Sequence, residues 1–107
     1  MERRGPAWMA KLKENDPEFA QLFGELMKQV MRPGAMDVKT KVLICLAIDA
    51  AGGYPGGAAS LAKQARALGA TDAEIKETVR IAFLMAGTPG LVTGLSAFAK
   101  GEKAAEE

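Results

Sequence analysis

Two side chains in the middle of the chain, the thiol of Cys45 and the carboxylate of Asp49, are of types that perform chemistry. Both lie on one helical face with Val42, because residues spaced at i, i+3 and i+7 project in the same direction. Asp49 is the one charged residue between Val42 and Ala51. A carboxylate in apolar surroundings must be paired or hydrogen-bonded, or else its pKa rises. The alternative is structural, with Cys45 as a small buried hydrophobe and Asp49 hydrogen-bonded to the following glycine-rich turn.

Other catalytic chemistries lack their usual residues. The chain contains no histidine and one cysteine. The commonest general base at neutral pH and the commonest transition-metal ligand are therefore missing, and an internal disulfide is impossible. We expect no metal site and no cofactor.

Charge and composition exclude several classes of partner. Lysine plus arginine number 14 and aspartate plus glutamate 13, and aromatic residues make up 6% of the chain. A balanced charge with few aromatics does not favour nucleic acid. No apolar run approaches the ~20 residues that span a bilayer, and the charged start is not followed by a signal core. We predict a cytoplasmic protein that does not bind a membrane.

The elements that must position Asp49 are all helical. Asp16-Pro17 predicts a helix start after a short helix or arm over residues 1–15. Asp37 predicts a further helix start. The helix that follows is apolar on nearly every side, so we expect it to be buried on nearly every side. A glycine-rich turn over residues 52–57 separates it from a helix beginning near Ala58 and ending at Leu68.

The rest of the chain continues the helical pattern. Thr71 and Glu74 form a capping box before a largely buried helix. A last helix is predicted over residues 91–98, and residues 100–107 form a charged tail that we expect to be frayed. No strand alternation is present. The sequence predicts an all-α fold in one domain over residues 1–107, a compact bundle of five or six helices.

The order of these signals resembles the short members of the carboxymuconolactone decarboxylase superfamily, which includes the alkyl hydroperoxide reductase D proteins. The resemblance covers roughly residues 16–98 and implies the alkyl hydroperoxide reductase D-like type of helical bundle. Its segments, in chain order, are Asp16-Pro17-Glu18-Phe19, Gly34-Ala35-Met36-Asp37, Ala50-Ala51-Gly52-Gly53, Gly69-Ala70-Thr71-Asp72 and Ala86-Gly87-x-Pro89.

Redox members of that family carry Cys-x-x-Cys-x-x-x-His after the central helix and a glutamate twelve residues before the first cysteine. In the matching stretch of this chain, Tyr54 and Gly57 replace the two cysteines, Leu61 replaces the histidine and Val42 replaces the glutamate. Thiol exchange needs a thiolate, a resolving thiol and a proton acceptor. We therefore expect thiol redox chemistry by the family route to be absent.

The resemblance also implies where a remaining site lies. The helix face of Val42, Cys45 and Asp49 would look toward the altered motif, so that Asp49, Tyr54 and Cys45 become the candidate catalytic residues. Tyr54 has an open alternative as simple volume filler. The predicted ligand-binding residues are Val42, Cys45, Asp49, Tyr54, Gly57 and Leu61.

Three functions are compatible with these residues. The first is binding of a small organic ligand, with a cofactor-free lyase or isomerase as its catalytic form. The second is a non-catalytic scaffold or interaction protein, and the third is a peroxiredoxin-like antioxidant using Cys45. Related short proteins form trimers or hexamers, and two nearly all-apolar helices exceed what one small globule covers. We predict a homotrimer or homohexamer.

Overall fold

A computed structural model describes residues 7–98, and within that range the chain is helical without any strand. The all-α prediction is thereby confirmed. The predicted tail and the first six residues of the predicted arm lie outside the described residues. The elements are α1 (Ala7–Asn15), α2 (Pro17–Met31), α3 (Val38–Gly52), α4 (Pro55–Ala67), α5 (Asp72–Ala86), α6 (Thr88–Gly94) and a final 3-10 turn (Leu95–Phe98).

Side-chain caps start three of these helices where the sequence predicts. Asp16 and Asp37 each accept a hydrogen bond from the amide three residues further on, at 3.2 and 2.7 Å. The capping box before α5 is complete: the Glu74 amide donates to the Thr71 hydroxyl at 3.1 Å and the Thr71 amide to the Glu74 carboxylate at 2.9 Å. These bonds satisfy amide groups that a helix start otherwise leaves without partners.

Two predicted helix starts are wrong by three residues. Helix α4 begins at Pro55 rather than near Ala58, and α6 begins at Thr88 rather than at residue 91. In both cases a proline lies in the first turn, where its fixed φ suits the helix and its missing amide hydrogen costs nothing. The adjoining glycines had indicated a turn, but they are accommodated in the helices.

The chain divides after Arg32 into two compact units. The N-terminal unit contains α1 and α2, and its aromatic contact is an edge-on pair of Trp8 and Phe23, with ring centroids 5.5 Å apart. Neither helix of this unit contains a buried residue. The described part of this unit, residues 7–32, therefore has no buried core.

The C-terminal unit is built around α3, which contacts α4, α5 and α6. Within residues 33–98 its core consists mainly of small side chains, since seven of the eleven buried hydrophobic residues are alanines. Small residues let helix axes approach closely. The buried hydrophobic residues are Val42, Leu46, Ala50, Ala58, Ala62, Ala65, Ala70, Ile75, Val79, Ala82 and Ala97.

Helices α3 and α5 are not buried on nearly every side, which corrects the expectation from their composition. On α3, Ile44 and Ile48 are 43% and 63% exposed. On α5, Leu84 and Met85 are exposed to 76% and 78%. The apolar pattern is therefore divided between a narrow internal stripe and an apolar outer surface.

Ion pairs and a hydrogen bond join the ends of helices within the C-terminal unit. Lys39, in the first turn of α3, forms an ion pair of 3.0 Å with Glu74 of the capping box. Arg66, near the end of α4, pairs with Asp72 at 3.0 Å and donates to the Ala97 carbonyl at 3.0 Å. Its guanidinium also lies 5.7 Å from the ring centre of Phe98.

Among the described residues, every helix is too short or too polar to cross a membrane.

The close approach of the helices predicts that alanine substitutions at two glycines change the free energy of unfolding by different amounts. A Cβ atom on Gly90 would lie 2.8 Å from the Ala82 carbonyl oxygen, whereas Gly34 has open space around it. We expect Gly90→Ala to lower the free energy of unfolding by about 1–3 kcal/mol, because the backbone of α5 must move. Gly34→Ala is the matched control and should change it by less than about 1 kcal/mol. Urea unfolding measures both, and a Gly90→Ala protein as stable as the parent would contradict the packing.

Candidate functional site

The connection between α3 and α4 consists of Gly53 and Tyr54 alone. Gly53 has a φ of 82°, in the left-handed region that glycine tolerates best. Its amide donates to the Ala50 carbonyl at 3.3 Å, and the Tyr54 amide donates to the Asp49 carbonyl at 2.9 Å. This pair of bonds is the Schellman arrangement, which ends a helix and turns the chain sharply.

The Asp49 carboxylate lies directly against the first turn of α4. A Cβ atom added to Gly57 would overlap Oδ2 of Asp49, so only glycine permits the approach. Gly57 is the third residue of α4, where the helix dipole favours a negative charge. The structure therefore brings together two of the predicted site residues, Asp49 and Gly57, through the tight turn between their helices.

The Asp49 carboxylate has neither a hydrogen bond nor an ion pair with any group of residues 7–98. The side chain is half-buried, and this burial raises the pKa of the carboxyl above its usual value of 3.8. The backbone carbonyl of Asp49, rather than its side chain, holds the glycine turn. The structural alternative, in which the Asp49 side chain hydrogen-bonds the glycine-rich turn, is therefore not observed within residues 7–98.

Cys45 lies one helical turn before Asp49 and is also half-buried. Burial raises the pKa of the Cys45 thiol above its usual value of 9.0, and the negative charge of Asp49 raises it further. The thiol is therefore protonated at neutral pH. Since the thiolate is the nucleophile, this environment works against redox chemistry at Cys45.

Tyr54 folds back over the end of α3. Its ring carbon Cε2 lies 2.8 Å from the position that a Cβ atom of Gly52 would occupy. The side chain remains 63% exposed. Within residues 7–98 no hydrogen bond joins its hydroxyl to Asp49. Tyr54 therefore lies beside the turn, with most of its surface exposed to solvent.

The two remaining predicted residues lie at different depths. Val42 is 2% exposed and belongs to the core beneath the site. Leu61 is half-buried on α4, one turn beyond Gly57 and hence on the same side of that helix. Cys45, Asp49 and Gly57 form the part of the predicted set that is both clustered and partly accessible.

The amide groups at the start of α4 lie beside the site and are not among the groups predicted from the sequence. Because the helix begins at Pro55, the N–H groups of Gly56 and Gly57 occupy positions that have no intrahelical acceptor. Tyr54, the capping residue, provides no side-chain hydrogen bond to them. The available signal was Pro55 itself, a residue typical of a first helical position.

Two other features bear on the kind of site. Residues 7–98 contain no group of three or more acidic, cysteine or histidine residues that could hold a metal ion. A shallow apolar groove of about 230 Å³ lies in the N-terminal unit and includes none of the predicted site residues. Lys13 provides its one charged side chain, and its other lining residues are Met9, Leu12, Ala20, Phe23, Gly24 and Met27.

The raised pKa of Asp49 predicts a pH-dependent effect of Asp49→Asn. A carboxyl whose pKa is raised by folding costs stability when it is ionised, and that cost disappears as the pH falls through the raised pKa toward 3.8. We expect Asp49→Asn to be more stable than the parent at pH 7, with an advantage that shrinks toward pH 4. Thermal unfolding at both pH values measures this.

Glu77→Gln, which removes an exposed carboxylate from α5, is the control for losing one negative charge. An advantage of Asp49→Asn that grows toward pH 4 would contradict a raised pKa.

The sequence and the fold of this chain are similar to those of known proteins. The model of the carboxymuconolactone decarboxylase family matches residues 17–100. An uncharacterized protein of Methanocaldococcus jannaschii is 29% identical over 86 residues, which are 80% of each chain. The crystal structure of an apo carboxymuconolactone decarboxylase family protein from Legionella pneumophila superimposes with a TM-score of 0.79 and 32% identity, covering 92% of this chain and 85% of that one. The resemblance found in the sequence is confirmed, and the chain belongs to the carboxymuconolactone decarboxylase family.

Proposed function

We propose that this protein is a carboxymuconolactone decarboxylase-like homo-oligomer that binds a small organic ligand beside Asp49 and performs no thiol redox chemistry. The observation that carries the proposal is the half-buried Asp49 carboxylate, which lies against Gly57 and has no partner in residues 7–98. Partial burial removes some of the water from this carboxylate, and a hydrogen-bond donor on a ligand would compensate for that loss.

The sequence lacks the groups that family-type redox chemistry needs. This lack supports the proposal that the protein performs no thiol redox chemistry. The chain has one cysteine and no histidine, so no second thiol can resolve an oxidised first one. The remaining thiol, Cys45, lies beside a carboxylate that opposes its ionisation. The residues at the motif positions, Tyr54, Gly57 and Leu61, offer no replacement for a thiol or an imidazole.

The chemistry that such a site could support is proton transfer. A carboxyl whose pKa is raised by burial is a stronger base than an ordinary aspartate, and it requires no cofactor. This favours a lyase or isomerase as the catalytic form of the ligand-binding function. The hydroxyl of Tyr54 is a further candidate group. A scaffold without catalysis is the alternative.

Oligomer formation is supported by the distribution of large apolar side chains. The core of the C-terminal unit is mostly alanine, whereas Ile48, Ile81, Leu84 and Met85 are each more than half exposed. Exposed apolar patches of this kind mark interaction surfaces. We propose the trimer or hexamer predicted from the family resemblance, with further copies of the chain as the partner. The cytoplasmic location stays a prediction from the sequence.

A thiol assay separates the proposal from the antioxidant alternative. We expect Cys45 in the native protein at pH 7 to react with a chromogenic disulfide reagent much more slowly than in urea, because the thiol is protonated and half-buried. Peroxide consumption should be the same for the parent and for Cys45→Ser. Rapid native labelling together with peroxide turnover that Cys45→Ser abolishes would overturn the proposal in favour of the antioxidant.

Native mass spectrometry tests the oligomer and the ligand together. We expect a trimer or hexamer carrying an additional, dissociable mass, which Asp49→Asn loses and the surface variant Glu77→Gln retains. A ligand-free oligomer from every preparation would favour the scaffold alternative. A monomer at micromolar concentration would contradict the oligomer.

A further inference from the structure

We propose that the Asp49 site binds a small organic ammonium ion, with the positive charge held between the Asp49 carboxylate and the ring of Tyr54. This inference rests on the proposed ligand-binding function and names the class of ligand. A protonated amine or a quaternary ammonium group, carried on an apolar body, is the chemistry that these side chains fit. Every residue that carries the inference belongs to the C-terminal unit.

Four residues near the end of α3 share one side of that helix. Cys45, Ile48, Asp49 and Gly52 follow one another at three- and four-residue spacing, so they line one face over about 10 Å of the helix axis. Ile48 is 63% exposed, and Asp49 is half-buried. Of these four residues Asp49 alone carries a charge, because the Cys45 thiol is protonated at neutral pH.

The ring of Tyr54 lies against the same face. A Cβ atom on Gly52 would lie 2.8 Å from the ring carbon Cε2 and 3.0 Å from Cδ2, so the lack of a side chain at position 52 makes room for the ring. Gly52 follows Asp49 by three residues, which is about 4.5 Å along the helix axis. The aromatic ring and the carboxylate are therefore neighbours on one surface.

The carboxylate and the ring attract the same kind of group. The face of an aromatic ring has a negative electrostatic potential, and proteins bind quaternary ammonium ligands through such rings. A carboxylate adds a full negative charge and accepts hydrogen bonds from the N–H groups of an amine. The side chain of Ile48 offers an apolar surface beside them. A cation with apolar substituents matches all three groups.

The charges of the C-terminal unit favour a cation over an anion at this site. Among residues 7–98 no lysine or arginine forms an ion pair with Asp49. The ion pairs of Lys39 and Arg66 lie at the other end of α3 and α4, away from the connection between these helices. From Lys39 to Asp49 the helix rises about 15 Å, which exceeds the ~8 Å over which charges interact at physiological salt. An organic acid would therefore meet the Asp49 charge without a paired basic side chain to offset it.

Titration of the full-length, nitrogen-15-labelled protein with three probes of similar size tests the inference. At pH 7 benzylamine is protonated, benzyl alcohol is neutral and benzoate is negatively charged. We expect benzylamine to shift the amide resonances of Gly53, Tyr54 and Gly57. Its affinity should exceed that of either other probe about tenfold, because hydrogen bonds to charged groups are stronger than those between neutral groups.

Substitutions separate the part of the carboxylate from that of the ring. Asp49→Asn should weaken benzylamine binding about tenfold. Tyr54→Leu should weaken it roughly fivefold, whereas Tyr54→Phe keeps the ring and should retain the affinity. Glu77→Gln, which removes an exposed carboxylate from α5, is the charge control and should bind like the parent. Equal affinities of Tyr54→Leu and the parent would overturn the part assigned to the ring.

Gly52→Ala tests the position of the ring without removing it. The added methyl group occupies the space against which the ring lies, and only the Tyr54 side chain has to move. We expect the affinity for benzylamine to fall several-fold while the midpoint of thermal unfolding stays close to that of the parent. An unchanged affinity would contradict a cation held against the ring.

Failure of this inference is distinguishable from failure of the proposed function. If benzyl alcohol or benzoate shifts the same amide resonances at least as strongly as benzylamine does, the ammonium inference is overturned and the ligand site stands. If none of the three probes shifts them at millimolar concentration, the ammonium inference is overturned as well. The proposed function is then judged separately, by the dissociable mass that native mass spectrometry detects.

Discussion

Close approach of helices through small side chains is the constraint on which the C-terminal unit depends. Alanines fill most of the buried positions around α3, and Gly94 lies so near Val79 that a Cβ atom would come within 2.7 Å of its Cγ1. A core of this kind gains less from apolar burial than one of leucine and phenylalanine, since the gain grows with the area removed from water. The large apolar side chains lie outside, where another surface must cover them.

The same closeness creates the Asp49 site. A side chain at position 57 would displace the Asp49 carboxylate from its place against the first turn of α4, whereas glycine leaves room for it. The carboxylate is left partly dehydrated and without a protein partner in residues 7–98. This combination costs stability, and such cost is typical of groups that serve a ligand or a reaction. The function we propose therefore depends on a single acid, Asp49, rather than on a pair of thiols.

The sequence was informative where a feature depends on nearest neighbours. Asp16, Asp37 and Thr71 were recognised as helix caps because a cap needs only its own turn, and the capping box is formed as predicted. The helix face of Cys45 and Asp49 followed from periodicity alone. The contact of Asp49 with Gly57 could not be predicted from periodicity. It depends on a short turn, and the glycines of residues 52–57 are equally compatible with a longer loop.

The sequence does not predict which apolar residues face the core and which are exposed. Composition indicated that α3 would be buried all round, but pattern cannot distinguish a side that faces the chain's own core from a side that faces another molecule. Ile44 and Ile48 resemble core residues in the sequence and are exposed in the structure. The start of α4 was misplaced for a related reason, because the local preference of glycine for turns was outweighed by Pro55 and by packing against α3.

The two-residue connection between α3 and α4 has a consequence for how this segment tolerates insertion. One additional residue between Gly53 and Pro55, if it were taken up as helix, would turn the side chains of α4 by about 100° relative to α3. Asp49 would then meet a different residue, and the alanines of α4 would no longer face the core. Substitution of Tyr54 leaves that phase intact. The length of the connection is thus more tightly constrained than the chemical identity of its second residue.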